Sequence, residues 1–176
     1  MGAPENATFP TLVSWSDISV SGIKYFSGTA TYTKTINISK ENLAANNKAI
    51  LDLGKVEVMA KVKVNGKDLG ILWKKPYTIE ITDELKQGNN ELEIAVVNLW
   101  PNRLIGDEQI KEDAVRKKDG TLENWPQWLI DGKTASPGRY SFCSWKLYDK
   151  DAKLLPSGLI GPVEIRFVPN FYRINK

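Results

Sequence analysis

Two carboxylates stand first among the residues that could do chemistry. Glu91 and Glu93 lie two apart in the alternating run Glu91-Leu92-Glu93-Ile94-Ala95-Val96. Period-two alternation places both on one face of a strand. Hydrolysis of a glycosidic bond uses two carboxyl groups about 5 to 9.5 Å apart across a cleft. The competing reading is a solvated strand face opposite Leu92, Ile94 and Val96, and the alternation favours it. Composition closes other routes. The 176 residues include no histidine and one cysteine, Cys143. No Ser-His-Asp triad, Cys-His pair, His-ligated metal or thiolate zinc site can be built from them. Cys143, beside Phe142 in an alternating stretch, reads as a buried, inert thiol. Asp107, Glu108, Glu112 and Asp113 could offer oxygen ligands to a structural calcium, but they lack EF-hand spacing and read as a solvated acidic loop. No cofactor is expected. Asn6-Ala7-Thr8 and Asn37-Ile38-Ser39 match the glycosylation sequon, which is silent in a bacterial protein.

The aromatic residues offer a second kind of chemistry. A saccharide platform needs exposed rings with polar side chains nearby for the hydroxyls. Trp73 and Tyr77 flank Pro76 at a strand end, and Trp100, Trp125 and Trp128 share a long segment with Asn98, Asn102, Arg103 and Asp107. These residues are the candidate contacts for a carbohydrate or for a docking domain. Docking is favoured, because tryptophan and arginine dominate interface hot spots and polar residues form the rim. Trp15 and Trp145 are expected on strands, in the core.

The elements that must position these residues are strands. Ala30, Tyr32, Lys34, Ile36 and Ile38 alternate with threonines and Asn37, and Ala49, Leu51 and Leu53 alternate before Gly54. Val56, Val58, Ala60, Val62 and Val64 form a one-sided stripe, with Glu57, Lys61 and Lys63 opposite. Such a stripe belongs to an antiparallel sheet packed on one face. Asn65-Gly66 suits a type I′ turn into Leu69, Ile71 and Trp73. Thr78–Ile81 reads as a short strand, and Thr82–Lys86 as one helical turn capped by Thr82 or Asp83 and closed by Gly88. Strands follow over Leu92–Val96, Tyr140–Tyr148 and Leu159–Val168. No helical period persists over three turns. Between them lies an irregular segment of about residues 98–137, too rich in tryptophan for disorder and so expected to pack on something. Short antiparallel strands with long connections imply an all-β fold: an antiparallel β-sandwich in Greek-key or jelly-roll order. Residues 1–11 read as a tail or linker, and 12–176 as a single sandwich domain with that long insertion.

The net charge of +3 is too small for a nucleic-acid partner. The longest aliphatic run, Ile94–Val97, is too short for membrane insertion. Residues 1–6 lack the basic and apolar regions of a signal peptide. The clusters Arg116-Lys117-Lys118 and Lys74-Lys75 read as solvated turns.

Three stretches carry a resemblance. The first is Gly22-Ile23-Lys24-Tyr25-Phe26-Ser27-Gly28-Thr29-Ala30-Thr31-Tyr32. The second runs from Leu51-Asp52-Leu53-Gly54 through Val64-Asn65-Gly66-Lys67, Trp73 and Pro76-Tyr77 to Asn98-Leu99-Trp100-Pro101-Asn102-Arg103. The third joins Trp125-Pro126, Trp128, Gly138-Arg139-Tyr140 and Trp145 to Leu155-Pro156-Ser157-Gly158-Leu159-Ile160-Gly161-Pro162-Val163. Over about residues 12–168 the chain resembles the galactose-binding-like jelly roll of glycoside hydrolase family 2. More narrowly it resembles the C-terminal β-sandwich of bacterial family 106 α-L-rhamnosidases.

The resemblance implies a non-catalytic accessory domain of a larger bacterial glycoside hydrolase, α-L-rhamnosidase-like, whose catalytic carboxylates sit on a separate barrel. The expected partners are that catalytic domain and, weakly, glycans. The expected location is the periplasm or cell surface. Two alternatives stand beside it: an independent carbohydrate-binding module, and a small stand-alone glycanase using paired carboxylates. Calcium binding is a further possibility in this class of sandwich.

Overall fold

The computed structural model describes residues 2–44, 47–112, 114–134 and 138–169. The backbone divides into two compact units. One, the strand unit, comprises Phe9–Ser14, Thr29–Asn98 and Ser157–Lys176; the other, the loop unit, comprises Met1–Thr8, Trp15–Gly28 and Leu99–Pro156.

The strand unit holds β1 (Gly28–Ile38, entered from the loop unit), β2 (Asn47–Asp52), β3 (Lys55–Val56), β4 (Met59–Val64), β5 (Lys67–Leu72), β6 (Thr78–Glu80), β7 (Gly88–Asn98), β8 (Leu159–Gly161) and β9 (Glu164–Pro169). They form three sheets ordered β1-β7-β4-β5, β6-β2-β9 and β3-β8. Pairing of β4 with β5 and β7, of β2 with β6 and β9, and of β3 with β8 is antiparallel. The fold is the expected all-β antiparallel sandwich. Its periodicity is visible in burial. Ala60, Val62 and Val64 of β4 and Leu92, Ile94 and Val96 of β7 are buried, as are Ala49 and Leu51 of β2. Their sequence neighbours point outward, as a strand requires.

Asn65 and Gly66 take φ of 50° and 80°, the positive values of the expected hairpin turn between β4 and β5. The valine stripe is not one strand, however. It breaks at Val58, whose φ of 79° is costly for a β-branched residue. The turn after β6 is a 3-10 turn, Thr82–Glu84, with Ile81 at its N-cap and no side-chain cap. The Thr82 hydroxyl is otherwise engaged: it accepts from Ala49 N–H (3.0 Å) and donates to Glu80 Oε1 (3.1 Å).

The loop unit contains a 3-10 turn, Trp15–Asp17, and short helices α1 (Ser21–Lys24), α2 (Pro101–Asp107) and α3 (Gln127–Ile130). The segment read as irregular therefore holds two helices. The expected strand over Tyr140–Tyr148 does not form. The only bridge there, among the described residues, is Thr121–Trp145. The reason lies in where the backbone hydrogen bonds go. Tyr140 and Ser141 N–H donate to the Asp107 carboxylate, and the Cys143 carbonyl accepts from Arg116 Nη2. Trp15 is buried, edge-on to Phe26 at 5.5 Å, but in the 3-10 turn and not in a strand. Trp145 is exposed, contrary to its expected core position, with its indole N–H on Asp119 O (3.1 Å). Pro137 and Asp113 lie outside the described residues.

Candidate functional site

Helix α2 organises the loop unit. Pro101 occupies its first turn, where a missing N–H costs nothing. Leu104 N–H bonds Trp100 O (3.0 Å) and Glu108 N–H bonds Leu104 O (3.3 Å). Asn102, Arg103, Ile105, Gly106 and Asp107 are buried. Asn102 forms a closed amide pair with Leu155: its Nδ2 donates to Leu155 O and its Oδ1 accepts from Leu155 N–H, both at 2.8 Å. Asp107 Oδ2 accepts from Tyr140 N–H (3.1 Å), Ser141 N–H (2.7 Å) and Ser141 Oγ–H (2.5 Å).

Arg103 lies between two rings, 5.8 Å from the Tyr25 centroid and 5.2 Å from that of Tyr140. Its Nη2 approaches Asp107 Oδ1 to 2.9 Å. That approach is an ion pair and not an aligned hydrogen bond, because Oδ1 and Arg103 Nε are both buried without a hydrogen-bond partner. Gly106 is required by space: a Cβ there would come within 2.5 Å of Arg103 Nη2 and of Tyr25. Arg139 caps the end of α2, donating to Asp107 O (2.8 Å), Ile110 O (2.9 Å) and Glu108 Oε1 (3.0 Å). Arg116 holds Glu112 through Nε and Nη2 and donates to the Gly120 and Cys143 carbonyls.

Asn102, Arg103 and Asp107 thus turn inward, and their polar groups bind the loop unit together. Asn98, at the end of β7, is buried in the strand unit. Tyr77 is core and no platform: it is buried, and its hydroxyl donates to Val58 O (3.2 Å). Trp128 packs edge-on against Phe142 at 5.4 Å, with a buried indole N–H that has no hydrogen-bond partner. Trp73, Trp100 and Trp125 are more than half exposed. Sequence reading gave no role to Arg139 and Ser141, whose partners come from distant stretches, and read Arg116 as solvated, although its side chain is largely buried on Glu112, Gly120 and Cys143.

Cys143 is half-buried and not fully buried as expected, and that partial burial raises its thiol above its ordinary pKa, which disfavours a reactive thiolate. Glu93 lies 3.8 Å from Lys63 Nζ. Among the described residues no three acidic or cysteine side chains gather as a metal-ligand set. No described helix is long and apolar enough to cross a membrane.

The exposed surface is divided unevenly. Of the thirteen large hydrophobic side chains exposed among the described residues, ten belong to the loop unit, among them Leu99, Trp100, Trp125, Tyr140 and Trp145. Among its described residues the buried apolar side chains are few: Trp15, Ile105 and Pro126. The loop unit is therefore held by buried polar contacts and presents its hydrophobic residues outward.

Known proteins share this arrangement of sequence and fold. A relative from Formosa agariphila, named "Putative beta-glucuronidase", is 50% identical over 157 residues, which are 89% of this chain and 13% of that protein. The rhamnosidase from Novosphingobium sp. PP1Y superposes with a TM-score of 0.73 at 34% identity, over 93% of this chain and 13% of its own. The Bifidobacterium dentium beta-glucuronidase has the same fold, with a TM-score of 0.59 at 21% identity, over 96% of this chain and 26% of its own. The chain spans about an eighth of the length of the first two. A match to the family described as glycosyl hydrolase 2 galactose-binding domain-like runs over residues 20–160, and the chain belongs to that family.

Proposed function

We propose that this chain works as a non-catalytic accessory sandwich of a larger glycoside hydrolase, with its loop unit docked on the catalytic portion. The observation that carries the reading is coverage: a 50% identical relative holds the chain as 13% of its length. The exposed hydrophobic side chains of the loop unit supply a docking surface. Trp100 is the anchor, being exposed at the N-cap of α2 just before the buried Asn102 and Arg103.

An α-L-rhamnosidase-like parent is favoured by the match to the Novosphingobium rhamnosidase over 93% of this chain. A glucuronidase parent is the second reading, favoured by the name and 50% identity of the Formosa relative. Assay of the parent gene product on aryl α-L-rhamnosides and aryl β-glucuronides decides between them. Trp100→Ala in the parent is expected to lower activity or loosen domain cohesion while leaving this chain folded. Turnover by this chain alone, abolished by Glu91→Gln or Glu93→Gln, would overturn the accessory reading.

A further inference from the structure

The strand unit displays one aromatic ring that the core does not use. Trp73 follows β5 directly and is 68% exposed, the most exposed large hydrophobic residue described. Ile71, two residues earlier and within β5, is exposed as well. β5 lies at the end of its sheet, so Ile71 is at an edge.

The loop carrying Trp73 is held firmly. Ala60 pairs with Leu72, which sets the register up to Trp73. Beyond the loop, Tyr77 is buried, its carbonyl accepts from Leu53 N–H (2.9 Å), and its hydroxyl donates to the carbonyl of Val58. Val58 is the residue with a φ of 79°. A β-branched residue at positive φ persists only where surrounding contacts over-determine it, and such positions cluster where a surface must be held for use. The two anchors leave Trp73, Lys74, Lys75 and Pro76 outside.

The charge on this loop has one sign. Lys74 Nζ stands 5.5 Å from the Trp73 ring centroid. No carboxylate among the described residues lies within ion-pair distance of Lys74 or Lys75, whereas the neighbouring Lys61 is neutralised by Asp68 (2.6 Å) and Lys63 faces Glu93 (3.8 Å). The patch thus combines an exposed indole with Lys74 over its ring, an exposed isoleucine two residues earlier, and two lysines with no carboxylate partner among the described residues.

We propose that Trp73, Lys74 and Lys75 form a binding platform for an acidic saccharide. The apolar C–H face of a pyranose packs on the indole, and its carboxylate or sulfate ester meets the two ammonium groups. Only the choice of a saccharide as the ligand rests on the glycoside-hydrolase reading. Lysine suits such a ligand as a mobile point charge, with no need for a fixed fork.

The experiment is titration of the full chain, by calorimetry at low and high salt, with hexagalacturonate, a sulfated galacto-oligosaccharide of similar length, and neutral maltohexaose. Binding of one or both acidic probes, favoured over maltohexaose and weakened by salt, is expected. Carboxylate and sulfate sources are told apart by which probe binds. Trp73→Ala should weaken binding about three- to tenfold, Trp73→Tyr should retain most of it, and Lys74→Gln with Lys75→Gln should erase the preference for acidic probes. Trp73 is exposed, so circular dichroism of Trp73→Ala should match that of the parent chain. Absence of binding, equal binding of neutral and acidic probes, or acidic binding that Trp73→Ala leaves unchanged would each overturn the platform. None of these outcomes touches the accessory-domain reading, which turnover by this chain alone would overturn.

Discussion

At the scale of single residues, Arg103 and Asp107 show how polar side chains can serve a fold from within. Each carries a charge in a nearly water-free position, and each is matched: Arg103 by two tyrosine rings and the carboxylate, Asp107 by three donors and the guanidinium. Removing one partner leaves the other charge buried and unpaired, which costs about 3–5 kcal/mol in measured cases. Asp107→Ala should therefore lose stability of that order in a urea melt of this chain. Trp100→Ala should stay within about 0.5 kcal/mol of the parent, as exposed substitutions do. A large loss for Trp100→Ala would make it a core residue and end its role as docking anchor. Gly106→Ala should also destabilise the loop unit, because its Cβ collides with Arg103 and Tyr25. The residues around α2 were legible as chemically special, but their burial was not. Asn102, Arg103 and Asp107 find their partners at Leu155, Tyr25, Tyr140 and Ser141, and sequence spacing alone carries no trace of those contacts.

At the scale of elements, the strands were readable and the loops were not, for a physical reason. A strand packed on one face writes a period of two into the chain, and β4 and β7 keep it: Val62 is buried between outward Lys61 and Lys63, Ile94 between Glu93 and Ala95. The stretch Tyr140–Tyr148 alternates too, yet its backbone groups are taken by Asp107 and Arg116, so it forms no ladder. Helix α2 is too short to show a period over three turns. The hairpin offers the clearest test at this scale. Asn65 sits at φ of 50°, its Nδ2 donates to Glu84 O (2.7 Å) and Asn90 Oδ1 (2.9 Å), and its Oδ1 accepts from Glu91 N–H (3.0 Å). Asn65→Ala strains the turn and strands those partners, so a loss of about 1–3 kcal/mol is expected. The urea midpoint should fall with the slope unchanged, since the folded compactness is preserved. Asn65→Gly, which relieves the backbone but not the partners, should recover part of it.

At the scale of the whole molecule, the absence of histidine sets how stability depends on pH. Among the described residues the carboxyl groups whose surroundings shift them are all held below their ordinary range. Lys61 holds Asp68 down, Lys48 holds Glu80, Thr121 holds Asp119 and Gln127 holds Asp131 by hydrogen bonds. A lowered pKa gives stability that is present above the unfolded value and is lost as pH falls through the folded one, so these groups stabilise the fold at neutral pH and lose that contribution only at acid pH, below about 4.5. On the alkaline side the signs reverse. Burial raises Cys143 above its ordinary 9.0, and Asp149 with Glu108 raises Lys146 above its ordinary 10.5. The folded state then binds more protons than the unfolded chain, so stability begins to fall as pH rises past about 9. With no histidine, no side chain of this composition has its ordinary pKa between about 5 and about 8. Thermal melts from pH 3 to 11 should therefore show a plateau from about pH 5 to about 8.5, with a decline at each end. Cys143→Ala should move the alkaline onset upward toward the lysine range. A stability step between pH 6 and 7.5 in the parent chain, or an alkaline onset that Cys143→Ala leaves in place, would contradict the assignment of these two limits.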